Sequence, residues 1–257
     1  MPEVRAGNAS VHARGDETLG AVQSAAARHG QWLPVDAPDT LTIAELCARR
    51  DGGPREARYG PFRAHVLSLS AGGLRFGSEA VKNVAGYDIR RAWLGAIDVE
   101  LAALRLAALP AWRRDALVRG GDAFALAESL RALASAPAAI VVLSPDLLAI
   151  SDDAPSSEIA RRELDLVTVA ARAGATIEPI GRDAWNDRCA TLPRGRLRIA
   201  GRDARDLLPA LDVVWAYDAG RRLALAPTSA LAAIRPRRDP PPPAAALVER
   251  VREALAP

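Results

Sequence analysis

The chain has 257 residues, of which 49% are apolar and 25% charged, a balance typical of a soluble globular protein with one large or two small domains. Its formal net charge is only +3 and it has no long basic block, so we expect no nucleic-acid partner. It has no run approaching the roughly 18 uncharged apolar residues of a membrane span. With no apolar signal segment at its N-terminus, a cytoplasmic protein is expected.

Short strands and helices separated by glycine and proline are predicted for the first half of the chain. In chain order these are a strand over 9–14, a helix from Thr18 to Gly30, a helix over 42–50, a hairpin around Gly72-Gly73, and a helix from Asp88 to Leu94. The apolar pattern of 99–109 fits either a strand or a helix.

A repeated strand–helix–strand order is predicted for the second half. Strands are expected over 115–118, 139–143, 175–180, 196–199 and 213–217, and helices over 122–133, 156–172 and 203–208. Two stretches of this pattern read as βαβ units. The class is therefore α+β, with bounds at 4–110 and 111–235 for two domains, 236–243 for a proline-rich linker and 244–257 for a C-terminal helix.

The chain offers little sign of a self-contained catalytic or metal centre. Cys47 and Cys189 form no CxxC pair, and the three histidines are scattered without metal-ligand spacing. No Ser-His-Asp order or P-loop is present, so we assign no catalytic or metal-binding residue. Lys82 stands out because it is the one lysine beside 33 arginines.

Three stretches of the first half resemble one flavoprotein family. The first stretch is 29–36, with the sequence HGQWLPVD. The second is 53–60, which contains GPR and RYG and is followed by Arg63 and Val66-Leu67. The third combines 74–77 (LRFG) with 81–89 (VKNVAGYDI). The segment is similar to the FAD-binding subunit of bacterial glycolate oxidase, in the vanillyl-alcohol oxidase and p-cresol methylhydroxylase superfamily. The likeness spans roughly residues 4–226 and is weaker in the second half.

This resemblance implies a fold, a cofactor and a set of contact residues. The fold would be a partial p-cresol-methylhydroxylase-type FAD-binding subdomain, without its pyrophosphate-loop half, followed by a ferredoxin-like α+β domain. The cofactor would be FAD, and the partner another flavoprotein oxidase subunit. The implied cofactor-binding residues are Gly53, Pro54, Tyr59, Gly60, Lys82, Asn83, Gly86, Tyr87, Asp88 and Gly95.

Two flavin-contacting elements of the family are altered in this chain. A Thr-Ile-Gly-Gly element of the family corresponds here to Thr42-Ile43-Ala44-Glu45. Alanine and glutamate thus replace two glycines, which adds a Cβ at both positions and a carboxylate at the second. A glycine- and hydroxyl-rich element corresponds to 95–101, where Gly95 remains and Asp98 and Glu100 are new. With the pyrophosphate loop also missing, these changes argue against ordinary FAD binding by the chain alone.

For several side chains the sequence is compatible with both a binding role and a structural role. Lys82 can face a flavin phosphate, a substrate carboxylate or an acidic partner, or it can be a surface lysine packed on Tyr87. Arg58 and Tyr59 can hold a cofactor or tie a loop to its neighbour. Asp98 and Glu100 can pair as carboxylates or lie solvated.

The resemblance and its departures lead to three functional hypotheses. The first is a reduced accessory subunit of a flavoprotein 2-hydroxy acid oxidase or dehydrogenase that does not bind FAD well alone. The second is an active FAD-dependent subunit that oxidises a 2-hydroxy acid such as glycolate, its pyrophosphate half supplied by another chain or lost from the gene model. The third is a binding module for a non-flavin small molecule or a protein.

Overall fold

The computed structural model describes residues 1–79, 94–95 and 98–234. Nine α-helices lie in these described parts: α1 (Leu19–Ala27), α2 (Ile43–Arg49), α3 (Glu56–Tyr59), α4 (Phe62–His65), α5 (Ala123–Arg131), α6 (Ile159–Arg172), α7 (Arg182–Thr191), α8 (Gly201–Leu207) and α9 (Thr228–Ile234). Across the same residues the strands are β1 (Glu3–Arg5), β2 (Ser10–Arg14), β3 (Gln31–Trp32), β4 (Val66–Ala71), β5 (Leu74–Gly77), β6 (Leu101–Arg105), β7 (Ala107–Ala108), β8 (Trp112–Arg119), β9 (Ala139–Ser144), β10 (Leu147–Ala154), β11 (Thr176–Ile180), β12 (Gly195–Arg198), β13 (Ala216–Asp218) and β14 (Leu223–Ala226).

The chain divides into two compact units. Unit 1 contains Met1–Gly52 and Gly60–Leu109, and unit 2 contains Gly53–Tyr59 together with the described residues from Pro110 onward. Seven residues that lie between two stretches of unit 1 in the sequence therefore belong to unit 2. The predicted linker and C-terminal helix, over 236–257, fall outside the described residues.

Unit 1 is built on a five-stranded antiparallel sheet of order β1-β2-β6-β4-β5. Thr18 caps α1 and Thr42 caps α2, each through its side-chain oxygen. The β4–β5 hairpin turns at Gly72 and Gly73, whose φ angles of +56° and +74° are those that a two-residue hairpin loop requires. Apolar residues of α1, α2 and the sheet form one core.

Unit 2 is built on a seven-stranded sheet of order β11-β8-β10-β9-β13-β14-β12, in which every neighbouring pair is antiparallel. Alternate residues of β8 belong to different apolar clusters, because successive side chains of a strand point to opposite faces. Ala116 and Val118 pack with α5, α6, α8 and α9, and Leu117 packs with Trp185 of α7. The central strands of the sheet are therefore buried on both faces, whereas the edge strands β11 and β12 are partly exposed.

The structure differs from the predicted βαβ units in one consistent way. In both stretches a strand that runs antiparallel to its neighbours lies between the two predicted strands: β10 separates β8 from β9, and β14 separates β13 from β12. Neither β10 nor α7 is predicted from the sequence. The region 99–109, whose apolar pattern fits either a strand or a helix, forms β6 and β7.

Candidate functional site

The structure describes five of the ten residues predicted to bind a cofactor. Gly53, Pro54 and Tyr59 belong to unit 2, whereas Gly60 and Gly95 belong to unit 1. The other five lie outside the described residues: Lys82, Asn83, Gly86, Tyr87 and Asp88. Cofactor binding by these ten residues therefore stays a prediction.

The N-terminus of α2 is the element at which the resemblance predicts that Ala44 and Glu45 replace two glycines. All four backbone N–H groups there have acceptors within the chain: Thr42 N donates to Glu45 Oε2 (2.8 Å), Ile43 N to Glu17 O (2.9 Å), Ala44 N to Gly15 O (2.9 Å) and Glu45 N to Thr42 Oγ1 (3.2 Å). The backbone N–H and the hydroxyl of Thr42 hold the pKa of the Glu45 carboxyl below its usual value. The helix end is thus self-capped and carries a negative charge, both of which oppose phosphate binding.

Gly95 has a packing role against the C-terminal end of α2. Its φ is +80°, and a Cβ added to it would lie 2.1 Å from Arg50 Nε and 3.0 Å from the carbonyl oxygen of Ala48. Only a glycine adopts this positive φ without strain and also leaves room for Arg50 and the Ala48 carbonyl group. The retained glycine is therefore explained by the fold of unit 1.

The two new carboxylates near Gly95 have different surroundings. Glu100 Oε1 accepts a hydrogen bond from Gly72 N at 3.0 Å, which ties the β4–β5 hairpin turn, whereas Asp98 is exposed. A Cβ on Gly15 would lie 1.8 Å from the carbonyl oxygen of Val99, so backbone already fills this space. A shallow groove remains beside it, lined by residues 14–16 and 99–101.

Arg55 lies at the centre of a buried ionic cluster in unit 2. Its side chain is fully buried; NH1 donates to Asp153 Oδ2 at 2.6 Å, and NH2 donates to Ser151 Oγ and to Asp115 Oδ1, the latter at 3.4 Å. The Ser151 hydroxyl in turn donates to Asp115, whose other oxygen accepts from Arg113 Nε at 2.8 Å. A guanidinium is suited to this position because its planar fork donates in several directions at once.

Neighbouring residues of the same short segment add contacts to unit 2. Tyr59 donates its hydroxyl to Asp153 Oδ1 at 2.8 Å, and Arg58 NH1 donates to the carbonyl oxygen of Asp153 at 2.9 Å. Burial, followed by the charge of Asp153, raises the pKa of the Tyr59 hydroxyl. Glu56 accepts from Arg221 NH1 at 2.9 Å. The interpretation of Arg58 and Tyr59 as residues that tie a loop to its neighbour thus has a direct geometric basis.

Asp152 lies beside this cluster and faces α6. Its Oδ1 accepts from Arg162 NH1 and from Asp153 N, both at 2.8 Å, and Arg58 NH1 is 3.6 Å away. Burial is the largest influence on this carboxyl and raises its pKa to about 6. Arg162 also donates to Glu158, so carboxylate and guanidinium groups alternate through the cluster.

The buried carboxylates of the cluster are paired with arginines of the same unit, so the cluster holds the segment around Arg55 and helix α6 against strand β10. Sequence reasoning missed it since Ser151-Asp152-Asp153 has the composition of a solvated turn. A usable signal is the apolar run 147–150 that continues directly into these polar residues as one strand. Among the described residues, no group of three His, Cys, Asp or Glu side chains could hold a metal ion. In the same residues, no helix is both long and apolar enough to cross a membrane.

Sequence comparison finds two partial relatives, and no protein-family model matches the chain. The glycolate oxidase subunit GlcE of Escherichia coli (strain K12) is 36% identical over 93 residues, which cover 33% of this chain and 27% of that subunit. D-lactate dehydrogenase of Archaeoglobus fulgidus is 34% identical over 84 residues, 30% of this chain and 19% of that enzyme. The matched stretches thus span about a quarter and a fifth of these relatives.

Structural comparison gives a broader likeness. Two crystal forms of alkyldihydroxyacetonephosphate synthase superpose on the chain: one (P212121) with a TM-score of 0.58 at 13% identity, and the other (P1) with 0.65 at 10%. They cover 72% and 99% of this chain, and 42% and 62% of the synthase chains. The sequence likeness is thus partial, and the likeness to the synthase chains, at 10–13% identity, shows a shared fold.

Proposed function

We propose that the chain is a reduced accessory subunit of a flavoprotein 2-hydroxy acid oxidase or dehydrogenase, and that it does not bind FAD well alone. The observation that carries this proposal is the self-capped N-terminus of α2, where all four N–H groups already have acceptors. A flavin pyrophosphate bound there would have to break the capping box and approach the Glu45 carboxylate. The partial identity to a protein named as an oxidase subunit supports the accessory role.

The visible spectrum of the purified full-length chain tests this proposal. We expect no stoichiometric flavin absorbance, either as purified or after incubation with FAD and removal of the free cofactor. Flavin released by heat denaturation measures the same quantity independently. One flavin retained per chain would overturn the proposal. If a partner oxidase subunit is co-purified, flavin is expected in the complex and not in the chain separated from it.

A second candidate is favoured by the names of the relatives, a glycolate oxidase subunit and a D-lactate dehydrogenase. In this alternative the chain takes part in oxidising a 2-hydroxy acid and completes its FAD site with another chain. The flavin would supply hydride acceptance, and this chain would supply part of its binding surface. Reduction of a dye by glycolate or D-lactate, dependent on both this chain and a partner, favours it. Equal rates without this chain would exclude it.

The finer fold assignment is also a proposal. We infer that unit 1 is a partial p-cresol-methylhydroxylase-type subdomain and that unit 2 contains a ferredoxin-like domain. The order β8-α5-β9-β10-α6-β11, with β11-β8-β10-β9 across the sheet, supports the second assignment because it is the β-α-β-β-α-β arrangement. An experimental structure with a different strand order would overturn it.

A further inference from the structure

We propose that Gly53–Tyr59, here called the strap, is a self-contained peptide that unit 2 binds through its buried carboxylates. In this proposal the strap docks and detaches as one piece, with glycine hinges at its two ends. The carboxylate pocket that receives it consists of Asp115, Asp152 and Asp153, which are 6%, 5% and 1% exposed. The inference does not depend on flavin binding.

The backbone of the strap closes on itself. Four N–H groups donate within it: Glu56 N to Gly53 O (3.1 Å), Ala57 N to Pro54 O (3.1 Å), and Arg58 N and Tyr59 N to Arg55 O (both 3.0 Å). These bonds form the single turn α3, which needs no partner strand. The strap can therefore keep its local shape while its side chains leave the pocket.

Side chains anchor the strap to unit 2 at two places. At the carboxylate pocket, Arg55 and Tyr59 both bind Asp153, and Arg58 binds the same residue through its backbone oxygen. At the β13–β14 turn, Arg221 bridges Glu56 and Asp218 at 2.9 and 2.5 Å. The pocket thus recognises an arginine followed four residues later by a tyrosine, and the β13–β14 turn recognises the acidic residue between them.

The ends of the strap have the conformation of hinges. Gly53 has φ +83° and Gly60 has φ +86°, a region that glycine adopts without strain. The same two positions mark where the chain passes from unit 1 to unit 2 and returns. Rotation at both glycines moves the intervening turn as a body, as hinge residues do in other loops.

The charge balance makes docking all-or-none. With the strap docked, Arg55 and Arg58 offset the carboxylate pocket together with Arg113 and Arg162. If Arg55 alone left the pocket, Asp153 would keep Tyr59 and Arg58 but would lose its fully buried cation while still shielded from water, which is unfavourable. Partial undocking is therefore disfavoured relative to both the docked and the released strap.

Amide hydrogen exchange on the full chain tests whether the strap opens as one piece. In the unmodified chain, the amides of Glu56, Ala57, Arg58 and Tyr59 should exchange through one shared opening, faster than those of β8 and β10. Arg55→Met should accelerate the strap amides by about tenfold or more, and the strand amides clearly less. Arg113→Met is the matched control, because it removes an arginine that lies outside the strap and binds Asp115 of the same pocket.

A peptide added in trans tests recognition by the pocket. A synthetic peptide of residues 52–60 should raise the thermal midpoint of full-chain Arg55→Met, because it binds only the folded state. The same peptide with Met in place of Arg55 should not. If Arg55→Met does not fold, Arg55→Lys replaces it, since it keeps the charge and loses the fork. Equal acceleration of strap and strand amides, or equal response to both peptides, would overturn the proposal.

Discussion

Asp152 shows how burial of one carboxyl affects stability at different pH values. Its pKa in the folded chain is about 6, above the ordinary value of 3.8, mainly because burial disfavours the charged form. A group whose pKa is raised on folding stabilises the fold at low pH and loses that contribution as pH rises through the folded pKa. The relevant window therefore lies between about pH 4 and pH 6.

Asp152→Asn should remove this pH dependence. Relative to the variant, the unmodified chain should lose about 1–3 kcal/mol of unfolding free energy between pH 4 and pH 7. Urea denaturation of both proteins across this range gives the difference directly, since all other titrating groups are shared. A difference that is flat, or that grows with pH, would show that Arg162 and Arg58 hold the Asp152 carboxyl ionised instead.

Gly15 and Gly7 form a matched pair in unit 1. A Cβ on Gly15 would lie 1.8 Å from the carbonyl oxygen of Val99, whereas a Cβ on Gly7 would meet nothing within 4 Å. Gly15→Ala should therefore destabilise the chain by about 2 kcal/mol or more, because backbone must move. Gly7→Ala should stay within about 0.5 kcal/mol of the unmodified chain. Similar thermal midpoints for the two variants would contradict the close approach at Gly15.

At the scale of elements, α2 depends on its capping box. Thr42→Ala and Glu45→Ala should each cost about 1 kcal/mol, because each removes a partner of a first-turn N–H group. The double variant should cost less than the sum, since the two side chains also bond to each other at 3.0 Å. A double-mutant cycle by chemical denaturation measures this coupling. Strict additivity would mean that the two residues cap the helix independently.

Elements with local signals follow from the sequence, and elements held by distant partners do not. Thr18, Thr42 and Asp122 each cap the helix that they predict, and Gly72-Gly73 forms the predicted hairpin turn. β10 escapes prediction because its polar end is stabilised by Arg55, which lies 98 residues away from Asp153 in the sequence. The apolar run 147–150 leads into these carboxylates, but it does not identify Arg55 as their partner, so the cluster becomes visible only with the fold.

At the scale of the whole molecule, each unit has its own apolar core, and each contains one cysteine. Cys47 is fully buried in unit 1, and burial raises the pKa of its thiol to about 12. In a Cys189→Ser variant, a thiol reagent at pH 8 should therefore modify Cys47 only when unit 1 opens. Pulse labelling across a urea series reports the opening of that unit. Full labelling within minutes in native buffer would contradict the described core.

The sequence reveals part of the candidate site through its resemblance to known motifs. The family motifs direct attention to the retained glycines and to the replaced loop at Thr42–Glu45, and both positions prove informative. The motifs do not reveal that Gly53–Tyr59 folds with residues beyond Pro110. Within unit 2 this segment is held by the buried charge pairs of Arg55 with Asp153 and Asp115, which no sequence motif reveals.

Placing the strap in unit 2 has a consequence for synthesis on the ribosome. Residues 53–59 leave the exit tunnel long before β10, because Arg55 and Asp153 are separated by 98 residues. At a synthesis rate of about 5–20 residues per second, the Arg55 side chain waits roughly 5–20 seconds for its carboxylate. During that interval the turn that carries Arg55 lies between two stretches of unit 1 in the sequence and lacks its carboxylate partner in β10. Slower codons between these two positions are therefore expected to lengthen the time that Arg55 spends without this partner.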